Sequence, residues 1–210
     1  MNNSEFSIQN SAFPCRRLIG LTGGIGTGKS TVSHYLATKY HLPILDADIY
    51  AREAVQKSSP IFNAIAQRYK NILLPDGTLN RQKLGQIIFN NLDERRWLEQ
   101  QIHPYVRDRF ALEISQLSHQ TAVLVIPLLF EAKMTSLVTE IWVVYCSPQQ
   151  QLQRLMQRDV LTLEQAQARI NSQMPLEEKC DRADIILDNS STESALLQQV
   201  NLAIASTHSQ

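Results

Sequence analysis

The amino-acid sequence predicts an α/β fold, in which helices cover both faces of a mainly parallel, five-stranded sheet. Apolar segments of strand length recur along the chain and alternate with segments in which apolar residues have helical spacing. A glycine-rich stretch, residues 23–30, joins the first strand pattern directly to the first helical pattern. The alternation is interrupted at residues 49–118, where helical patterns follow one another. Such alternation is typical of a three-layer domain, so we interpret the interruption as an inserted helical lobe.

The glycine-rich stretch follows a predicted strand at residues 16–22 and precedes a helical pattern at residues 31–37. Its sequence, GGIGTGKS, matches G-x-x-x-x-G-K-[ST], the phosphate-binding P-loop. Glycines let such a loop approach an anion, and its N–H groups then point inward at the positive end of the helix. We expect Lys29 to bind the β- and γ-phosphates and the Ser30 hydroxyl to bind Mg²⁺. The alternative, a glycine-rich turn that binds nothing, is disfavoured by the strand and helix on either side.

The second predicted strand, residues 41–48, ends in two carboxylates, Asp46 and Asp48. Ligands of a parallel sheet bind beyond the carboxyl ends of its strands, so both residues are expected near the phosphates. Phosphoryl transfer needs a carboxylate that holds the acceptor hydroxyl in line, and we predict this role for Asp48. Asp46 would shape the site or hold metal-bound waters. The alternative for each is that it caps the next helix. Arg52 either pairs with Asp48 along that helix or contacts an anionic substrate.

Within the predicted lobe, local signals indicate where helices begin and end. Asn80 and Asp93 predict the caps of two helices. We expect the second of these to run to about residue 117 and to be interrupted at Pro104, which cannot donate a backbone hydrogen bond. His103, beside this proline, fits a packing or capping role better than a catalytic one.

Strand patterns return after the lobe. Apolar runs at residues 121–126, 140–146 and 183–187 predict three further strands, which complete the sheet. Pro148 and Thr162 are expected to open the next two helices. The segments that follow the first four strands would all lie at one edge of the sheet, where we expect the ligand.

Three arginines, Arg154, Arg158 and Arg169, lie in the two helices expected after the fourth strand. Arg154 and Arg158 are one helical turn apart and therefore share a face. Because a guanidinium group binds phosphate oxygens bidentately, we expect these residues to belong to a lid, about residues 148–182, that closes over a triphosphate. The alternative for each arginine is a solvated helix face.

The charge balance excludes some classes of protein. Lys and Arg together number 20, as do Asp and Glu, so the chain lacks the basic excess of typical nucleic-acid-binding domains. The longest apolar run, around residues 122–130, is too short to span a bilayer and contains Pro127. We therefore expect a small-molecule substrate and neither a nucleic-acid nor a membrane partner.

Cysteine usage and the first residues indicate a cytoplasmic protein. Cys15, Cys146 and Cys180 are far apart in sequence and form no C-x-x-C pair, a pattern that favours free thiols over a disulfide framework or a zinc site. Residues 1–15 are polar and do not resemble a secretory signal. We interpret them as a flexible tail that precedes a single domain at residues 16–205.

Together these motifs resemble one family, the dephospho-CoA kinases. The resemblance is clearest in the P-loop region, residues 20–30, and in the Asp-Ala-Asp segment that opens residues 46–52. It continues in shorter segments, namely residues 103–104, 127–131, 157–159, 169–175, 179 and 183–189. The similarity covers roughly residues 17–205, and the Asp-Ala-Asp and Ser-Gln-Met-Pro segments make it specific. Thr27 stands where the family usually has Ser, a replacement that keeps the hydroxyl.

The resemblance implies a reaction and a set of roles. Mg²⁺-dependent transfer of the ATP γ-phosphate to the ribose 3′-hydroxyl of dephospho-coenzyme A would complete coenzyme A synthesis. The P-loop residues that would hold ATP are Gly24, Gly26, Thr27, Gly28, Lys29, Ser30 and Thr31. Asp48 would orient or deprotonate the hydroxyl, and Arg158 would screen the moving phosphate. Arg154 would also contact ATP, and Asn189 would lie near the adenine. We expect a monomer with a core, an acceptor lobe and a lid.

Other P-loop proteins remain as alternatives at this stage. The nearest is another small-molecule or nucleotide kinase, because the lobe sets the acceptor. A GTP-dependent switch would have D-x-x-G after the third strand and N-K-x-D for guanine, and this sequence has neither. An ATPase motor is disfavoured because residues 123–126 lack a terminal Walker-B aspartate.

Overall fold

A computed structural model of the protein describes residues 16–206. The strands are β1 (Arg17–Gly23), β2 (Ile44–Asp46), β3 (Thr121–Val125), β4 (Glu140–Tyr145) and β5 (Ile185–Asp188). The helices are α1 (Lys29–Tyr40), α2 (Ala47–Ala54), α3 (Pro60–Arg68), α4 (Arg81–Asn90), α5 (Leu92–Gln116), α6 (Pro148–Asp159), α7 (Leu163–Asn171), α8 (Leu176–Cys180) and α9 (Glu193–Ala205). The strands form one parallel sheet in the order β2-β3-β1-β4-β5. The predicted fold class is confirmed.

Helices cover both faces of the sheet because its strands are apolar on both sides. On one face, Ile19 and Leu21 of β1 pack with α1 and α9 in a buried cluster. On the other face, Leu124 of β3 packs with Tyr50 of α2 and Phe110 of α5. Continuous apolar strands of this kind are typical of a parallel sheet, since neither face meets water. The sheet therefore holds the carboxyl ends of β1–β4 rigidly at one edge.

Helices α3 and α4 share a third apolar cluster with the first part of α5. Phe62 and Ile65 of α3 meet Leu84 of α4 and Leu98 of α5 in this cluster. It lies within the region predicted as a helical lobe, in which the structure adds one isolated β-bridge between residues 73 and 79. These helices thus have a core of their own, apart from the sheet.

The long helix α5 corrects two expectations. It is continuous through Pro104, so the predicted interruption at residues 103–104 is wrong. Leu98 lies in the third cluster and Phe110 in the sheet cluster, and burial at both ends outweighs the one backbone hydrogen bond that the proline removes. The N-cap is Asn91, whose side chain accepts from the N–H groups of residues 93 and 94, and Asp93 lies in the first turn.

The remaining elements lie close to their predicted positions. Helix α8 was not predicted, since it is only five residues long and follows a proline. No helix in the described part of the chain is long and apolar enough to cross a membrane. The predicted tail, residues 1–15, and with it Cys15, falls outside the described residues.

Candidate active site

A cleft of about 800 Å³ lies at the edge where the strands end at their carboxyl termini. Its walls come from the P-loop after β1, the start of α2 after β2, the segment after β3, and α6 after β4. The lining residues are Ile25, Gly26, Gly28, Lys29, Ser30, Ser33, Asp46, Asp48, Val125, Pro127, Leu128, Arg154, Gln157, Arg158 and Gln173. Most of the predicted site residues therefore meet at one place.

The P-loop is held in a backbone conformation that favours glycine. Gly28, the N-cap of α1, has a φ of 105°, and a Cβ there would lie 2.3 Å from Nδ2 of Asn189. That Asn189 amide donates to the Thr27 carbonyl over 2.8 Å, which fixes the turn into the helix. Thr27 itself is buried and donates from Oγ1 to the Gly24 carbonyl, and Thr31 lies half-buried in the first turn of α1. Hydrogen bonds from Thr27 to Gly24 and from Asn189 to Thr27 thus stabilise the loop.

Lys29 is the charged residue at the centre of the cleft. Its Nζ donates to the carbonyls of Gly23 and Gly24, at 3.0 and 2.8 Å. Burial lowers the pKa of Lys29 to about 8, with a further lowering by the charge of Lys179 and a smaller raising by Asp48. An ammonium group in such surroundings gains strongly from an anion beside it. Ser30 follows it and is exposed at the cleft wall.

The two carboxylates line the cleft, but Asp48 lies on a different element from the one predicted. Strand β2 ends at Asp46, and Asp48 belongs to the first turn of α2. Asp46 caps this helix, since its Oδ1 accepts from the Asp48 N–H over 2.8 Å. Burial in the cleft raises the pKa of Asp48, as does the neighbouring Asp46, whereas Lys29 and Arg52 lower it. The Asp48 carboxylate remains open to the cleft.

The three arginines separate into two groups. Arg154 and Arg158, on α6, both line the cleft, and Nη2 of Arg154 donates to the Asn189 carbonyl over 3.0 Å. Arg158 pairs with Asp159 at 2.8 Å, and Arg169 pairs with the same carboxylate at 2.7 Å. Arg169 is therefore joined to Arg158 through Asp159 and is not among the residues that line the cleft.

Two glutamines that the sequence analysis missed hold the tip of the P-loop. The Ile25 N–H donates to Oε1 of Gln173, and Nε2 of Gln151 donates to the Ile25 carbonyl, both over 2.9 Å. Gln151 is buried on α6, and Gln173 lies just after α7. In sequence Gln151 belongs to a polar helix pattern that is typical of a solvated face, and only the resemblance distinguished the segment that contains Gln173.

His103 lies outside this cleft. It is half-buried on α5 and lines a neighbouring groove of about 360 Å³ together with Leu128 and Ser172. Burial lowers the pKa of His103, so the imidazole is neutral near pH 7. This placement agrees with a packing role.

Comparison with known proteins adds the family to this geometry. A sequence model of the family described as dephospho-CoA kinase matches residues 17–194. The chain belongs to the dephospho-CoA kinase family. The match includes the P-loop, both cleft carboxylates and the arginines of α6, so the residues of the cleft are within the family region.

Relatives and solved structures agree with this membership. The dephospho-CoA kinase of Trichormus variabilis is 66% identical over 190 residues, which cover 90% of this chain and 97% of the relative. That of Synechocystis sp. is 58% identical over 189 residues, 89% of this chain and 94% of the relative. The solved dephospho-CoA kinase from Campylobacter jejuni is 30% identical in sequence to this chain and has a TM-score of 0.67. The match covers 89% of this chain and 94% of that chain. The Thermus thermophilus protein TT1252 is 31% identical with a TM-score of 0.80, over 91% of this chain and 99% of its own.

Family membership confirms the activity expected from the resemblance. A dephospho-CoA kinase transfers a phosphoryl group to a hydroxyl of dephospho-coenzyme A, the final step of coenzyme A synthesis, and its substrate is a small molecule. Membership of a kinase family also implies the use of ATP. A shikimate kinase from Bacteroides thetaiotaomicron is 14% identical with a TM-score of 0.52, a likeness that concerns the fold alone.

Proposed function

We propose that this cleft is the active site, in which ATP lies along the P-loop and dephospho-coenzyme A presents its ribose 3′-hydroxyl from the side of α2. The observation that carries the proposal is the juxtaposition of Lys29, Asp48 and Arg158, which line one cleft. The charges of Asp48 and Arg158 both act on the pKa of Lys29, so the three groups lie within electrostatic reach of one another. A cation, a carboxylate and a guanidinium around one cavity are what in-line phosphoryl transfer requires.

Arg154 supports a phosphate ligand on the α6 side of the cleft. Its Nη1 is buried and has no hydrogen-bond partner within residues 16–206, although Nη2 is bonded to Asn189. The guanidinium also interacts with the Cys146 thiol, which is only a weak acceptor. A buried N–H group without an acceptor is costly. The Arg154 guanidinium lines the cleft, where an oxygen of ATP would accept hydrogen bonds from it. We assign Arg154 to nucleotide binding.

Ser30 is the residue that would hold Mg²⁺. Its hydroxyl is a hard oxygen ligand at the first turn of α1, next to Lys29, and the side chain is exposed at the cleft wall. Mg²⁺, when bound with ATP, would neutralise charge on the β- and γ-phosphates. The other P-loop residues, from Gly24 to Thr31, would contribute N–H groups and support to the phosphate-binding turn.

Asp48 would act as the proton acceptor. As the 3′-oxygen forms a bond to the γ-phosphorus, the hydroxyl proton passes to the Asp48 carboxylate and the bond between the γ-phosphorus and the β–γ bridging oxygen breaks, which releases ADP. The raised pKa of Asp48 makes the carboxylate a better proton acceptor than an ordinary aspartate. Arg158 and Lys29 would meanwhile neutralise the charge on the moving phosphoryl group.

We also propose that the enzyme acts as a monomer in the cytoplasm. Cys146 and Cys180 are free thiols, which suit a reducing compartment. Sedimentation velocity of the full chain, with and without ATP, tests the oligomeric state. A single species with the mass of one chain is expected, and a stable dimer would contradict the proposal.

The activity is tested by ADP release from Mg·ATP with dephospho-coenzyme A, compared with a panel of nucleotides, shikimate and small alcohols, with product mass measured in parallel. We expect turnover only with dephospho-coenzyme A and a product heavier by one phosphoryl group at the ribose 3′-position. Turnover with another acceptor would contradict the proposed acceptor, and release of ADP without any acceptor would contradict the kinase mechanism.

A further inference from the structure

An ion pair beside the cleft joins Lys179 of α8, which is fully buried, to Glu131 after β3, whose side chain is 24% exposed. The Lys179 side chain has no exposed surface. Its Nζ lies 2.9 Å from Oε1 of Glu131 and donates to the Pro127 carbonyl over 3.1 Å. Oε2 of Glu131 is buried and has no hydrogen-bond partner in the described chain.

Stability alone is a weak reason for such a pair. A buried lysine is rare, and well-packed apolar residues in place of a buried ion pair often leave a protein equally stable or more so. Leu176, one helical turn before Lys179, packs with Phe130 and Val143 in an apolar cluster. The Lys179 ammonium instead meets a carboxylate and a carbonyl, and this buried charge calls for an explanation other than packing.

The pair joins three segments that line the cleft. The Pro127 carbonyl, which accepts from Lys179, also accepts from Oγ1 of Thr22, the residue before the P-loop begins, over 3.2 Å. Oε1 of Glu131 accepts from the Met174 N–H over 3.0 Å. The residue before Met174 is Gln173, which holds the tip of the P-loop through Ile25 as described above. Three segments thus meet at this ion pair: the end of β1, the segment after β3 and the segment after α7.

The pair also acts electrostatically on Lys29, with a larger effect from Lys179 than from Glu131. Lys179 lowers the pKa of Lys29 and Glu131 raises it. The other charged groups that act on Lys29 are Asp48, which raises its pKa, and Arg158, which lowers it, while burial has the largest effect. The two members of the pair therefore have opposite electrostatic effects on the ammonium group that is assigned to the phosphates.

We propose that Lys179 and Glu131 are positioning residues of the phosphoryl-transfer site, which hold the P-loop and the Pro127–Glu131 segment in register around Lys29. This inference rests on the proposed role of Lys29 in binding the phosphates. Neither residue of the pair lines the cleft; both act through the backbone at Pro127 and Met174.

The test is a double-mutant cycle on the full-length enzyme at one pH, with Lys179→Met, Glu131→Gln and the double variant, in which kcat and KM for ATP are measured separately. Because the pair sets the position of the cleft segments, we expect kcat to fall by about 10- to 100-fold in each single variant. Because the two side chains act through one contact, the double variant should lose no more activity than the more impaired single variant. KM for ATP should change less than kcat, since neither side chain lines the cleft.

Glu178→Gln is the matched control, since Glu178 lies beside Lys179 on α8, is exposed and pairs only loosely with Arg182 at 3.9 Å. This control should keep the wild-type kcat and the wild-type KM for ATP.

The outcomes separate this inference from the proposed function. Wild-type kcat in both single variants, or losses that simply multiply in the double variant, would overturn the inference while the role of Lys29 stands. Lys29→Met should lower kcat/KM by about 10³-fold or more, and if it does not, the role of Lys29 itself is wrong and the inference falls with it. If Lys179→Met does not fold, as judged by circular dichroism, Glu131→Gln still decides, and a wild-type kcat in Glu131→Gln would overturn the inference.

Discussion

The P-loop edge of the sheet and the cluster of α3, α4 and α5 are built in different ways. The P-loop groups that would bind phosphate lie within eight consecutive residues, and hydrogen bonds to Asn189, Gln151 and Gln173 support the loop. The helical cluster is held by apolar side chains from three helices, and the neighbouring groove is lined by side chains that are far apart in sequence. The proposed phosphate site is therefore local in sequence, whereas the helical cluster and its groove depend on tertiary packing.

The largest effect is expected at the P-loop, from Lys29→Met. Loss of the ammonium should lower kcat/KM by about 10³-fold or more, because one charged donor to the moving phosphate is removed. The charge also costs stability, because the native pKa of about 8 lies below the unfolded value of 10.5. Wild-type stability is therefore reduced below pH 8 and rises as pH rises through this window. We expect Lys29→Met to raise the melting temperature more at pH 7 than near pH 10, and an equal change at both would contradict the buried charge.

The second-largest effect is expected at Asp48, the cleft carboxylate in the first turn of α2. Asp48→Asn should lower kcat by about 10²- to 10⁴-fold with little change in ATP affinity, measured by turnover and by calorimetric titration of nucleotide. Because the pKa of Asp48 is raised in the folded protein, its ionised form destabilises the fold, and this cost grows as pH rises above the unfolded value. The variant should therefore be more stable than wild type at pH 7. A variant with near-normal kcat would show that another group takes the proton.

The contrast between the two regions is tested by a matched pair of core variants. These are Ile65→Ala in the helical cluster and Leu36→Ala on the buried face of α1. Both side chains are fully buried, so each variant should lower the free energy of unfolding by about 2–5 kcal/mol. We expect only Leu36→Ala to weaken ATP binding and only Ile65→Ala to raise KM for dephospho-coenzyme A. If both variants impair both substrates equally, the two regions are not separate in function.

The smallest effect is expected from Asn189→Ala, which removes the side-chain donor to the Thr27 carbonyl. One hydrogen bond of this kind contributes about 1 kcal/mol, so KM for ATP should rise about fivefold. Asn201→Ala is the control: its Oδ1 accepts from Tyr35 and Tyr40. It should cost similar stability in denaturant unfolding and leave KM for ATP unchanged. A matching rise in KM for the control would mean that α1 as a whole, rather than its N-cap, limits binding.

The same contrast explains how much could be predicted from the sequence. The fold class, the P-loop and the cleft residues on α6 follow from short-range signals, namely strand alternation, glycine spacing and helical periodicity. Asp48 was assigned to the site but to the wrong element, because a strand and a helix N-terminus are hard to separate over three residues. The helix through Pro104 could not be predicted, since burial at Leu98 and Phe110 outweighs the local penalty of the proline.

The support residues were hidden for a related physical reason. Gln151 and Lys179 are polar side chains that are normally exposed on helices, and nothing nearby in sequence shows that each is buried against a loop from a distant part of the chain. Their partners, Ile25 and Glu131, are known only once the sheet is assembled. A sequence pattern therefore identifies a loop that would bind phosphate through its own backbone more readily than it identifies the side chains that hold this loop in place.

The central position of β1 has a consequence for how this chain is made. β1 leaves the ribosome before the other four described strands, yet it pairs with β3 from Thr121 and with β4 from Glu140, both synthesised much later. Until those residues emerge, the P-loop has neither neighbour to hold its turn, and its apolar strand is open to wrong contacts. Pairing over so long a stretch of chain is slow. We therefore expect nascent chains that end before β4 to depend on chaperones and to bind no ATP, so this enzyme gains its first ligand only after β4 has been synthesised.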